Sequence, residues 1–370
     1  MAFQFKTLAR RMALAGTVAA VALGALASTA SAKDYLLTGS HSGKLFLFDP
    51  AKRTLVREIS LPGGTPLGVQ PSSDGKIVYV MNDKLGALNG VELDTGKPVF
   101  HASLSDGDVR GKGFVGLALS RDDKELYAVV YRTRLHKTEY EVLQPEIQVF
   151  SVADGLNAKP VRTFPVARQT AQIHFSTDGS KLYAIGANVD ILDPKTGAKQ
   201  DSFPLRDGNR PNLSAPDMLA IWSQHSQTNV WTAPIFSART DLPQTDPAAF
   251  QTGIMQLDLA SGQMRMDEFE NTSHVIFSST LNPANRDEVY TVYTQLSKVN
   301  IRDKTLVKRV ELDHTYYAIN ISADGKEVYV GGTMDDIAVY DTATLSKIGS
   351  MSLPDGSDMA ASWMQIVKRD

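Results

Sequence analysis

The chain's supply of chemistry-bearing side chains is narrow. It contains no cysteine, and its seven histidines are His41, His101, His136, His174, His225, His274 and His314. No two of these lie within ten residues of each other, so no local His-x-x-x-His pair for a metal or haem exists. The lack of cysteine excludes disulfides, thiolate zinc sites, iron–sulfur clusters, c-type haem attachment and a cysteine nucleophile. There is no Gly-x-Ser-x-Gly elbow to support a serine hydrolase. Gly111-Lys112-Gly113 is not followed by a helical pattern, as a phosphate-cradling loop requires. The Asp335-Asp336 pair falls in an expected loop, where solvation is the simplest role. With 38 basic and 41 acidic residues and no basic stripe interleaved with aromatics, nucleic-acid binding is not expected. The pattern favours binding a partner over catalysis by this chain alone.

The elements that position these residues are read from the repeats. Residues 1–32 have the form of an export signal: Lys6, Arg10 and Arg11, a small apolar run from Met12 to Ala27, then Ala30-Ser31-Ala32 at the cleavage point. The run is too short for a membrane span. The expectation is a periplasmic protein whose mature chain starts at Lys33 and forms one domain over 33–370. Within it two phrases recur. The first is a turn before a β-rich run, as in Ser73-Asp74-Gly75-Lys76 before Ile77–Val80 and Ser322-Ala323-Asp324-Gly325-Lys326 before Val328–Val330. Further copies precede Leu126, Leu182 and Val289. Asp-Gly is a strong turn signal because both residues tolerate positive φ. The second phrase is an apolar strand ending in Asp or a substitute. It starts near Leu45, Gly90, Ile147, Val189, Ile254, Leu296 and Ile337. Seven copies at this period predict an all-β, seven-bladed β-propeller with four antiparallel strands per blade. The N-terminal blade lacks its innermost strand A, and an orphan strand at Met359–Val367 is expected to supply it and close the ring.

In such a ring the B–C and D–A loops share one face, and the A–B and C–D turns share the other. The long departures from the repeat, at 131–146, 206–215 and 236–252, all fall on the first face, whereas the second is expected to be short and regular. Loops of this length on a rigid scaffold point to function. Asp217, His274, His314, Tyr316 and Tyr317 precede inner strands on that face. Trp222, His225, Trp231 and Phe236 lie near the fifth blade, the two tryptophans being better explained as filling between blades. Asp217, Asp358 and His274 are the only polar candidates at the starts of inner strands, too few for the divalent-ion site of a propeller lactonase.

The repeat phrases resemble the general bacterial YVTN-type propeller. The resemblance sharpens over residues 214–262, which include IWSQHSQTNVWTAPIFSARTDLPQTDP, and over 314–345, HTYYAINISADGKEVYVGGTMDDIAVYDTATL. These stretches resemble the β subunits of quinohaemoprotein amine dehydrogenases. The resemblance implies a periplasmic heterotrimer that oxidises primary amines to aldehyde and ammonia. A di-haem cytochrome c α subunit and a small γ subunit carrying cysteine tryptophylquinone are its partners. The propeller itself holds no cofactor, metal or catalytic residue. The absence of cysteine agrees with the β subunit and with neither partner. On this reading Asp217, Trp222, His225, Phe236, His314, Tyr316 and Tyr317 are candidates for the subunit interface or the wall of the amine pocket. A stand-alone YVTN-type binding propeller is the alternative.

Overall fold

The computed structural model describes residues 33–205, 210–222 and 224–369. The export signal read over 1–32 lies outside them. The described chain forms seven sheets, each with a four-strand antiparallel run in sequence order, arranged as a seven-bladed propeller. Blade 1 is composite. Its strands B, C and D are Lys33–Gly39, Lys44–Asp49 and Thr54–Ser60, and its inner strand A is the C-terminal Met364–Arg369. Leu36 pairs with Ile366 and Thr38 with Met364, so the first and last strands of the chain lie side by side. The orphan strand therefore closes the ring as expected, starting five residues later than the sequence suggests. Arg369 reaches Asp94 in blade 2 at 2.5 Å, and Arg53 in blade 1 forks onto Glu327 in blade 7 at 2.6 and 3.0 Å.

The inner strands of blades 2 to 7 are Val69–Pro71, Leu117–Leu119, Gln172–Phe175, Asp217–Met218, Ser278–Leu281 and Tyr316–Ile321. Strands B and C read as unbroken apolar runs because both of their faces are buried. Alternate residues point to opposite neighbours. Tyr79 and Met81 of blade 2 pack toward blade 3, for instance, whereas Val78 and Val80 pack toward blade 1. Apolar clusters fill the spaces between consecutive blades, and one of them is continuous through blades 7, 1 and 2 and the axis.

The repeated turn is a small polar machine. Ser322 Oγ donates to Asp324 Oδ1 at 2.6 Å and accepts the Glu327 N–H at 3.0 Å, while Asp324 also accepts the Lys326 N–H. Ser120 and Ser176 repeat this arrangement, and in blade 2 the hydroxyl belongs to Ser72 rather than Ser73. The fourth turn residue has positive φ, 72° at Gly325 and 57° at Asp123, which stands where Gly75, Gly179 and Gly325 stand in their copies. The Asp ending strand C caps the C–D turn: Asp258 Oδ1 accepts the N–H groups of Ala260 and Ser261.

Every C–D pair carries one bulge. In blades 1, 2, 3, 6 and 7 the unpaired extra residue of strand D is Val56, Val99, Val161, Val307 or Ile348. A bulge on an edge strand twists it away from pairing with another chain.

If ring closure is what holds the blades together, removing residues 364–370 leaves Lys33–Gly39 as an open inner edge. Urea unfolding followed by tryptophan fluorescence is expected to lose its single cooperative transition. Replacement of the buried Trp363 by Ala is expected to cost about 3–5 kcal/mol while keeping one transition.

Candidate functional site

The insertions at 131–146 and 236–252 lie on the face expected for them. Strand B of blade 3 runs long, Glu125–Leu135, and pairs beyond the blade with Tyr140–Val142 and with Val109–Lys112 from the preceding D–A loop. The 104–116 segment is thus a further insertion on this face, missed because its strand is only four residues long. Gly111-Lys112-Gly113 is an edge of this small sheet; a Cβ at Gly111 would collide with the Leu104 carbonyl. In blade 5, Val230–Ala238 and Phe250–Asp258 extend outward as a hairpin paired up to Ala238 and Phe250. Of the 206–215 segment, residues 210–215 are described: Leu213 bridges to Arg239, and Arg210 pairs with Glu268 and Ser237.

The opposite face departs from expectation. The A–B link of blade 5 spans residues 219–229 and is neither short nor regular. The cause is Pro234 in strand B. Asp217 pairs with Phe236 and Met218 with Ile235, and the next partner would be Pro234, which has no N–H to give. The inner strand stops there, and the chain continues along the axis without a ladder.

This break scatters the candidate residues. Asp217 is exposed and Phe236 half-buried, neighbours across the blade 5 ladder on the insertion face. His314, Tyr316 and Tyr317 lie on the same face of blade 7. Tyr316 and Tyr317 begin the inner strand rather than preceding it. His314 Nε2 lies 2.8 Å from Asp336 Oδ1, the Tyr316 hydroxyl donates to Asp336 Oδ2 at 2.8 Å, and the two rings are 4.0 Å apart. Asp336, read as solvated, is the acceptor that orders this cluster. Burial first, then the Asp336 carboxylate, holds the Tyr316 phenol well above its usual range. His274 sits between Ser273 and Arg309, which is forked onto Glu270.

Trp222 is in the middle of the ring. It stacks on Tyr317 at 5.2 Å and on Phe277 at 6.1 Å. One apolar residue from the inner region of every blade joins this cluster: Trp363, Leu67, Val115, Ala171, Trp222, Phe277 and Tyr317. The Trp363 indole N–H reaches across the axis to the Ile221 carbonyl at 2.8 Å. The axis is therefore plugged.

His225 lies at the opposite end, by a polar cavity of about 380 Å³ lined by Arg121, Asp123, Gln227 and Lys368. Its ring packs at 4.5 Å on His174, which lies 5.6 Å from Trp231. It does not join the other candidates. Desolvation, followed by the Arg121 charge, lowers the His225 pKa to about 4, and burial, then His225 and Arg121, holds His174 well below its usual range.

A cavity of about 490 Å³ opens on the insertion face between blades 4 and 5. Phe114, Ile185, Met218, Ile221, Ile235 and Met255 are among its walls. None of these was singled out in the sequence, where they read as strand interior. Among the described residues no three His, Asp or Glu side chains gather as a metal site. Exposed large apolar side chains separate by location. Leu55, Val56, Val161, Val307 and Ile348 lie on outermost strands, four of them as bulge residues. Of the remaining seven, only Leu156 is on the turn face. Phe114, Tyr140, Val142, Phe250, Val275 and Met334 are all on the insertion face.

No protein-family model matches the chain, and no curated protein matches it in sequence. Solved structures match its fold. Hydrazine synthase from Kuenenia stuttgartiensis superposes with a TM-score of 0.58 at 14% identity, covering 82% of this chain and 90% of that one. Dihydro-haem d1 dehydrogenase NirN, in complex with DHE, gives a TM-score of 0.52 at 14% identity, covering 89% and 75%. At this identity the likeness is one of fold alone, that of a seven-bladed propeller.

Depressed histidine pKa values set an acid window. As pH falls from about 6.5, the unfolded chain takes up protons that folded His225 refuses until about 4, so stability is complete above this window and declines within it. Asp178, held at about 2 by Ser176 and Ser180, loses its contribution only below the ordinary carboxylate range. Urea midpoints are expected to fall between pH 6.5 and 4, less steeply in a His225→Asn variant.

Proposed function

We propose that this chain is a cofactor-free propeller whose insertion face holds a partner polypeptide, and that it is the β subunit of a periplasmic quinohaemoprotein amine dehydrogenase. The observation carrying the first part is the distribution of exposed apolar side chains. Once the five on the outermost strands are set aside, six of the seven that remain among the described residues share one face. Clustered exposed apolar residues on a soluble scaffold mark an interaction surface.

The second part rests on where the two most specific stretches of the sequence fall. Residues 214–262 build Asp217, Phe236 and the Phe250 hairpin, and residues 314–345 build the His314–Tyr316–Asp336 cluster and Met334. Both stretches furnish the insertion face. One neighbour in fold, dihydro-haem d1 dehydrogenase, is a redox enzyme by name, and a propeller inside a redox assembly is in keeping with it.

On this reading the quinone of a small γ subunit and the two haems of an α subunit supply the oxidation of a primary amine to aldehyde and ammonia. This chain has no thiol with which to attach either group. Its part is to seat the γ subunit, exclude water, and present walls to the amine. Asp336 fixes His314 and Tyr316, so that this part of the wall keeps its shape when the partner docks.

The test is affinity purification of the tagged chain from its source cells. A one-to-one-to-one complex with a di-haem protein and a small quinone-staining polypeptide is expected. Phe250→Ser with Met334→Ser should lower retention of the small polypeptide at least tenfold without moving the urea midpoint. Phe236→Ala and Tyr316→Phe should raise the Michaelis constant for amines or weaken retention. Purification of the chain alone would instead favour the stand-alone binding propeller.

A further inference from the structure

The cavity between blades 4 and 5 is a consequence of the broken inner strand, and the break is braced. After Pro234 ends the ladder, Leu219 N–H still reaches the Pro234 carbonyl at 3.2 Å. The carbonyls of Ala220 and Ile221, beyond the last ladder pair, accept hydrogen bonds from the amide Nε2 of Gln172 in blade 4, each at 2.9 Å. Ile221 O also accepts the Trp363 indole N–H from across the axis. Gln172 is fully buried and its Oε1 has no protein partner. A buried glutamine that spends its donor on two carbonyls of one irregular segment holds that segment off strand B of its own blade. The space so kept is not filled by side chains, although a core ordinarily packs to close such gaps.

We infer that this braced cavity is a small-molecule site for a neutral, largely apolar compound of one or two rings. Three properties set the class. Its volume of about 490 Å³ is in the range of ligand sites rather than packing voids. Among the described residues, none of the fourteen that line it is charged, so an ammonium or carboxylate inside would lose its hydration without a counter-charge from them. Its wall offers Met218 and Met255, flexible side chains that adapt to ring edges. Phe114, 39% exposed, stands at the edge of the cavity. The inference concerns this chain alone and is independent of the amine dehydrogenase reading.

Indole, with its cationic analogue tryptamine and anionic analogue indole-3-acetate, tests it by calorimetry and saturation-transfer NMR on the isolated chain. Indole is expected to bind one to one with a dissociation constant below about 1 mM. Both charged analogues should bind at least tenfold more weakly. Ala187→Trp, at the half-buried rim, should abolish indole binding with the urea midpoint unchanged. Gln172→Leu removes the brace and should weaken binding at least fivefold. If that variant fails to fold, Ala187→Trp decides. No indole binding, equal binding of the charged analogues, or undiminished binding by Ala187→Trp would each overturn the inference.

Discussion

The pairing of the first strand with the last is the contact on which everything else depends. Blade 1 is a full four-stranded sheet like the others only because its innermost strand comes from the far end of the chain, which ties the last blade to the first. That pairing is reinforced sideways, by Arg369 on Asp94 toward blade 2 and Arg53 on Glu327 toward blade 7. With no cysteine available, closure does what disulfides do in many exported proteins: it ties the chain's ends together.

Closure also dictates how the surface is to be read. A propeller exposes seven outer strands, and each needs protection against pairing with another chain. The bulge with a β-branched residue gives that protection and places valine or isoleucine in solvent as a by-product. Those residues therefore carry no information about partners. The apolar residues left over do, and they concentrate where the loops are longest. The two faces of this molecule are thus chemically unlike, one built of short serine–aspartate turns and one of extended hairpins with exposed rings.

Much of this was legible in the sequence. The strands ending in Asp or a substitute gave all seven C strands; at Asp193 and Asp258 the carboxylate accepts two N–H groups of the turn. The orphan C-terminal strand was visible as an apolar run without a blade. What could not be read was the effect of Pro234. It lies in a run, VWTAPIFSA, that still forms a strand because strand C pairs on its other side. Its missing donor is felt by strand A, and only the register reveals which residues lose their partners. Hence Trp222 was placed with the rim though it fills the axis, and His225 was grouped with residues at the other end of the ring. The cavity was invisible for the same reason: its walls come from blades 4 and 5 and from Phe114, brought together by a gap that no periodicity reports.

Residues 217–225 run the full depth of the disc. Asp217 is at one mouth, Trp222 is in the plug, and His225 is at the other mouth. Cavity wall, plug and buried histidine thus lie on one short stretch of sequence, so a substitution there bears on all three together.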